Sequence, residues 1–343
     1  MKILASPYRE FSEINPVLSL LYDSLEKSGV HVSSFSKRKL LQESWDVLHL
    51  HWPTENIVGR KYVRDVIPRL LIFWTMLKVA RFKKTKIFWT AHNIEPHEQK
   101  HPLLERVFWR VFLPNVDGII CMSQTGKQEL FRHHPETQSI PIFTIPHGHY
   151  RGAYPDEMTE DEARTALGLP SDDFVAVFLG QIRAYKGVER LIRCFIEAQI
   201  TNAKLIVAGS AADDVARDIT KVSEANSNVR LFLEFVNQND IQKYLRAADL
   251  VILPYTQILN SGSAILALSF DRPILVPACG TLIELGEIVG PNWVRLYHGE
   301  LDPDIIRAAV GWVKTRQIQN NAHAPLSALD WDRIAQLTIR AFS

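Results

Sequence analysis

The chain has 343 residues, with 39 Lys and Arg against 38 Asp and Glu, for a formal net charge of +1. That length exceeds what one core usually organises, so two domains are expected, and the even charge gives no argument for a nucleic-acid partner. Cys121, Cys194 and Cys279 lack CxxC spacing, which fits a reducing compartment and argues against a disulfide frame or a zinc site.

The N-terminus, MKILASPYREFSE, turns polar within a few residues and reads as a first strand rather than a signal peptide. KILAS (2–6), DVLHLHW (46–52), KIFWTAH (86–92) and GIICMS (118–123) are predicted strands, and PVLSLLYDSLEKSG (16–29) has helical spacing and stops at a glycine. Strands alternating with helices imply βαβ units and a parallel sheet. His49 and His51 alternate along their strand and share a face. His49 suits a hydrogen-bonded core position, whereas His51 and Trp52 stand at the strand's end, where a ligand could be met.

YVRDVIPRLLIFWTMLKVARFKKTK (62–86) joins an apolar face to a basic end at Arg81, Lys83, Lys84 and Lys86. Its apolar stretch, 67–80, carries Arg69 and Lys78 and is shorter than the roughly 20 residues a membrane span needs. It reads as an interfacial helix on an anionic surface, with WRVF (109–112) extending it; the plain alternative is a helix covering the sheet. WTAHNIEPHEQKH (89–101) then gathers His92, Asn93, Glu95, His97, Glu98 and His101 just after a strand. Pro96 breaks the helix that an H-E-x-x-H zinc site needs, so no metal is expected. The alternative is a polar loop with incidental histidines.

Residues 144–173 are polar and turn-rich and read as a hinge, with a short helix near TEDEA. A second series follows: FVAVFLG (174–180), KLIVAGS (204–210), VRLFLEF (229–235), DLVILPY (249–255) and RPILVPA (272–278), near-continuous apolar runs suited to strands covered on both faces. The chain therefore reads as two doubly wound α/β domains. The first covers 1–150 and the second 151–325, and a last helix over 326–343 can cross back to the first. Ligands bind outside the carboxyl ends of such sheets, and a cleft between two of them is the default site.

Asn260, Ser261, Gly262 and Ser263 follow one strand's carboxyl end and open a helix, where free N–H groups favour a phosphate; an ordinary N-cap explains them equally. QIRAYKG (181–187) places Arg183 and Lys186 at another strand's carboxyl end. Two cations and a small-residue cradle on one sheet edge fit a diphosphate. No GxGxxG or GxxxxGK[ST] follows any strand, which weakens NAD and P-loop readings.

GxIRxxKG, the LxFV segment carrying Phe235, and AADLVILPY, ending at Tyr255, resemble the donor half of two-domain GT-B glycosyltransferases. PYxxxxNSGxxxxALSxxRPIL (254–275), HGHYR (147–151), GPNWVRLYHGELD (290–302) and DWDRIAQL (330–337) are similar to the bacterial xanthan-type GDP-mannose:glycolipid β-mannosyltransferase family. DVLHLHWP (46–53) and HNIEPHE (92–98) resemble its acceptor half. The resemblance implies that Arg183, Lys186, Phe235, Tyr255 and 260–263 bind the nucleotide-sugar donor, with His147 beside it. It implies an acceptor linked to a polyprenyl diphosphate, met by His51, Trp52, Asn93 and Glu95 at the cytoplasmic face of a bacterial plasma membrane.

Many retaining GT-B enzymes carry a Glu-x7-Glu pair near this loop. Between 250 and 283 the sole acid here is Asp271, in a turn that reads as solvated. An inverting reaction fits better, and it needs one general base. The PHE ending of the resembling motif points to Glu98, with His97 in reserve and His92 holding the donor sugar. The expected function is an inverting, metal-independent β-mannosyltransferase of exopolysaccharide assembly. The alternatives are a retaining GT-B enzyme with another sugar nucleotide, a sugar-nucleotide epimerase, and a non-catalytic sugar-nucleotide-binding module.

Overall fold

The structure is a computed structural model that describes residues 1–10, 15–54, 62–93, 101–224, 226–256, 258–316 and 322–343. It divides into two compact units, Met1–Gly148 with Leu329–Ser343, and His149–Ala328.

In the first unit, β1 (Lys2–Ser6), β2 (His31–Ser34), β3 (Val47–Leu50), β4 (Lys86–Ala91), β5 (Gly118–Cys121) and β6 (Ile142–Thr144) form one parallel sheet in the order β2-β1-β3-β4-β5-β6. The chain leaves β1 in one direction to β2 and returns to the other side for β3. The topological switch point therefore lies between β1 and β3, where Ser6 pairs with Leu50. The apolar runs predicted as strands are strands, and β3 and β5 are buried throughout because helices cover both faces.

The helix Trp331–Phe342 belongs to this unit and packs on the helix Val17–Lys27, with Ser24 Oγ donating to Asp332 Oδ1 at 2.8 Å. Phe342 seats its ring against Phe88 and His49. Gly148 touches the Trp331 indole so closely that a Cβ there would stand 2.3 Å from the ring, so HGHYR needs its glycine for close approach.

In the second unit, β7 (Phe174–Leu179), β8 (Ala203–Ala208), β9 (Val229–Phe232), β10 (Leu250–Ile252), β11 (Ile274–Pro277) and β12 (Val294–Tyr297) form a parallel sheet in the order β12-β11-β10-β7-β8-β9. Its switch point lies between β7 and β10. The helix near TEDEA runs Glu160–Ala166 and starts in a capping box, Thr159 with Glu162. Both units have the doubly wound α/β architecture expected from the sequence.

Candidate active site

The switch point of the second unit collects most of the predicted donor residues. Beyond β7 the chain passes Gly180 and Arg183 into the turn Ala184–Lys186. Beyond β10 it passes Tyr255 and reaches the helix Gly262–Ser269. The two segments are tied together: Thr256 N and Oγ1 each reach Tyr185 O at 3.0 Å. Gly187 has φ +67°, and a Cβ there would stand 2.2 Å from Pro254 O, so only glycine allows this approach. Gly180 lies close under Ser263 Oγ.

Lys186 Nζ lies over two rings, 4.1 Å from the centroid of Tyr255 and 5.4 Å from that of Tyr185. Burial pushes its ammonium down to about 8. The Tyr255 hydroxyl is pushed up to about 12 by burial, against its hydrogen bonds to Ser261 and Ser263. Arg183 is exposed. Ser261 is the N-cap: its Oγ accepts from Ala264 N at 3.1 Å and lies 3.3 Å from Tyr255 Oη. Its side chain therefore serves the helix, as the plain alternative held, and Gly262 and Ser263 follow it at the helix mouth. Asn260 is half-buried beside them. Phe235 stands 53% exposed after β9, at the same carboxyl edge.

At the first unit's carboxyl edge, four histidines meet. His49 and His51 share a face with ring centroids 4.3 Å apart, and His51 Nδ1 reaches His92 Nε2 at 2.8 Å. Trp52 stacks on His92 at 4.3 Å. His147 lines the same small cavity as His49, His51 and His92 and sits in this unit, with Nδ1–H donating to Gly148 O at 2.7 Å. Burial pushes His49 down to about 3; burial and the neighbouring rings hold His51 and His92 well below the ordinary histidine value, so all three are neutral at pH 7. Asn93 follows half-buried. Glu95, His97 and Glu98 lie outside the described residues.

Sequence reasoning missed Tyr22 and Thr90. Tyr22 Oη contacts both His49 Nδ1 (3.0 Å) and His51 Nε2 (2.6 Å), and Thr90 Oγ1 contacts His49 Nε2 (2.8 Å). The available signal was the Leu18, Tyr22, Leu25 stripe, which turns a hydroxyl into the sheet.

Three of the four cations assigned to membrane contact have partners within the chain. Arg81 pairs with Asp117. Lys83 Nζ donates to the carbonyls of Leu40, Leu41 and Glu43, closing the end of the helix Lys37–Gln42. Lys86 Nζ donates to Phe342 O and Ser343 O. Lys84 is exposed. The helix Val63–Phe82 buries only Val66, Leu77 and Ala80, leaving Ile67, Leu71 and Trp74 exposed on one face and Phe82 exposed at its end. Among the described residues, no helix is long and apolar enough to cross a membrane. Asp271 also differs from the solvated turn expected: its carboxylate takes Arg151 Nη2 at 2.5 Å, His323 Nδ1 at 2.6 Å and Ala324 N at 2.9 Å.

A family model described as glycosyl transferases group 1 matches residues 159–268. The chain is 31% identical, over 99% of its length and 91% of the relative's, to the GDP-mannose:glycolipid 4-beta-D-mannosyltransferase of Xanthomonas campestris pv. campestris. Among solved structures, Anabaena HepE in complex with UDP and glucose matches with a TM-score of 0.65 at 17% identity, covering 100% of this chain and 96% of that one. A putative UDP-N-acetylglucosamine 2-epimerase from Listeria monocytogenes matches with a TM-score of 0.57 at 12% identity, covering 99% and 94%. The structural likenesses speak for the fold alone. The sequence likeness, running through both units, goes further: the chain belongs to the GT-B glycosyltransferase family that includes the Xanthomonas mannosyltransferase.

Proposed function

We propose that this glycosyltransferase is an inverting β-mannosyltransferase that takes mannose from GDP-mannose and adds it to a polyprenyl-diphosphate-linked oligosaccharide in exopolysaccharide assembly. The observation that carries this reading is the likeness to the Xanthomonas enzyme over 99% of the chain. The donor edge agrees with it in chemistry. Lys186, Arg183 and the start of the helix Gly262–Ser269 suit a diphosphate, whose charge grows as the sugar leaves.

In this reaction an acceptor hydroxyl oxygen bonds to the anomeric carbon as the bond from that carbon to the diphosphate oxygen breaks. The hydroxyl proton passes to a general base, and the leaving nucleoside diphosphate keeps the electron pair. Glu98 is the proposed base. The lone acid near the donor loop, Asp271, is committed to Arg151 and His323, so it is poorly placed to serve as a second carboxylate at the sugar. Fixed cations at the leaving group make a divalent metal unnecessary. The lipid-linked acceptor is reached from the cytoplasmic membrane surface, where Ile67, Leu71, Trp74 and Phe82 offer apolar area flanked by Arg64 and Lys78.

The test is transfer from a panel of nucleotide sugars to a lipid extract, with the anomeric configuration of the product read by NMR. β-Mannoside formed from GDP-mannose is the expected result. An α-linked product, or transfer from a UDP-sugar alone, overturns it. Conversion of the nucleotide sugar without an acceptor favours the epimerase alternative.

A further inference from the structure

Among the described residues, five side chains of the first unit are joined in sequence by hydrogen bonds: Thr90 to His49, His49 to Tyr22, Tyr22 to His51, and His51 to His92. Thr90, His49, Tyr22 and His51 are sealed from solvent, none more than 5% exposed. Each neutral imidazole carries one N–H, and each hydroxyl has one hydrogen to give.

Counting donors sets the direction of every link. Among the described residues, the Thr90 hydroxyl has His49 Nε2 as its hydrogen-bond partner. Were Thr90 to accept there, its own hydrogen would be buried without an acceptor, a costly arrangement in a sealed site. Thr90 therefore donates. His49 then carries its proton on Nδ1 and donates to Tyr22 Oη. Tyr22 gives its hydrogen to His51 Nε2, the shorter of its two contacts at 2.6 Å against 3.0 Å. His51 carries its proton on Nδ1 and donates to His92 Nε2, and the proton of His92 sits on Nδ1. The burial that suppresses the imidazolium forms also holds the Tyr22 hydroxyl protonated, as do Glu10 and Tyr8 nearby.

We propose that Tyr22 is a positioning residue that locks His92 in the Nδ1–H form, so that toward the substrate His92 is a hydrogen-bond donor to a sugar oxygen and not the base. This rests on the reading that the first unit's carboxyl edge takes part in the transfer. It divides the labour at that edge: the proton leaves to a carboxylate, while the histidine set keeps a fixed polarity. Tyr22, His49 and His51 act through His92 and need not touch a substrate.

The test reads tautomers directly. In protein labelled with 15N-histidine, two-bond proton–nitrogen spectra are expected to show His49, His51 and His92 all protonated at Nδ1 and bare at Nε2, the less common form of a free imidazole. Tyr22→Phe should return His51 and His92 to the common Nε2–H form and lower kcat about ten-fold, with the KM for donor little changed. Thr90→Val, which removes the donor at the far end and leaves Tyr22 in place, should shift the same signals. Nε2–H rings in the native protein, or unchanged His51 and His92 signals in Tyr22→Phe, would overturn the relay. If the tautomers are as stated but His92→Ala transfers at the native rate, the relay stands; what falls is the assignment of His92 to the substrate.

Discussion

Lys186 Nζ stands 4.1 Å from the ring centroid of the buried Tyr255, and burial holds this ammonium at about 8. Its two pH effects have opposite signs. For folding, a lysine with a depressed value costs stability below about pH 8, and the cost is relieved as pH rises from there toward the ordinary lysine range. For donor binding, the charged form is the useful one, so affinity for a nucleoside diphosphate should fall as pH climbs through about 8. Calorimetric titration with GDP from pH 7 to 9 checks this. Lys186→Ala should bind about ten-fold more weakly or worse at pH 7 and lose most of the pH dependence. A native affinity that is flat across that range removes Lys186 from the diphosphate.

Ser261 and Ser263 should separate cleanly. Ser261 Oγ caps the helix Gly262–Ser269, so Ser261→Ala should cost about 1 kcal/mol of stability, seen as a lower midpoint in thermal unfolding. Ser263→Ala leaves the cap intact and should weaken GDP binding about five-fold. The reverse pattern would mean that the capping hydroxyl, and not Ser263, meets the donor.

Transfer should proceed at its full rate in excess chelator. Lys186 and Arg183 already stand at the carboxyl edge where a leaving diphosphate would gather charge. Activity that disappears with chelator and returns with magnesium or manganese would show that these cations are insufficient.

The legible part of this molecule was its interior. The central strands, such as β7 with all six residues buried, read as apolar runs because both faces are covered. The three strands not anticipated, β2, β6 and β12, are all edges, where one side of the ladder has no neighbour and the pattern is diluted. The grouping of Arg183, Lys186, Tyr255 and 260–263 was legible because they lie in two short segments on either side of one switch point. The histidine set was half legible. Strand alternation paired His49 with His51, but Tyr22 joins them from a helix, and periodicity cannot distinguish a core tyrosine from a hydroxyl hub. Which surface cations have partners within the chain was not legible, because a cation's partner can lie far along the sequence, as Phe342 O and Ser343 O do for Lys86.

Membrane contact should depend more on apolar side chains than on the lysines. Leu71 and Trp74 are exposed on one helix face, so Leu71→Glu with Trp74→Glu should abolish sedimentation with anionic vesicles at an unchanged melting temperature. Lys83→Glu should instead lower the melting temperature, because Lys83 Nζ is held by three carbonyls. Binding of the native protein should weaken with salt through Arg64, Lys78 and Lys84. Vesicle binding that survives the double substitution would place the contact elsewhere.

The general base is the remaining assignment, and it can be tested by exclusion. His92 is neutral, and its Nε2 is engaged by His51, which suits it to hold an oxygen rather than take a proton. Glu98 rests on the resemblance of its motif and on the usual role of a carboxylate in inverting transfer. Loss of general-base catalysis typically costs 10²–10⁴-fold, so Glu98→Gln should bind donor normally and transfer at least about a hundred-fold more slowly. Rapid-quench measurement of a single turnover isolates that step. If Glu98→Gln turns over at the native rate while His97→Ala or Glu95→Gln is inactive, the role passes to that residue. If all three substitutions leave turnover intact, the next carboxylate is Glu10, beyond β1 at the same switch point. Burial pushes Glu10 up, but hydrogen bonds from Ser34 and the backbone of Tyr8 outweigh it and hold the value below the ordinary one. Glu10 would then be an ionised but weak base, and acid should slow transfer only below the ordinary carboxylate range.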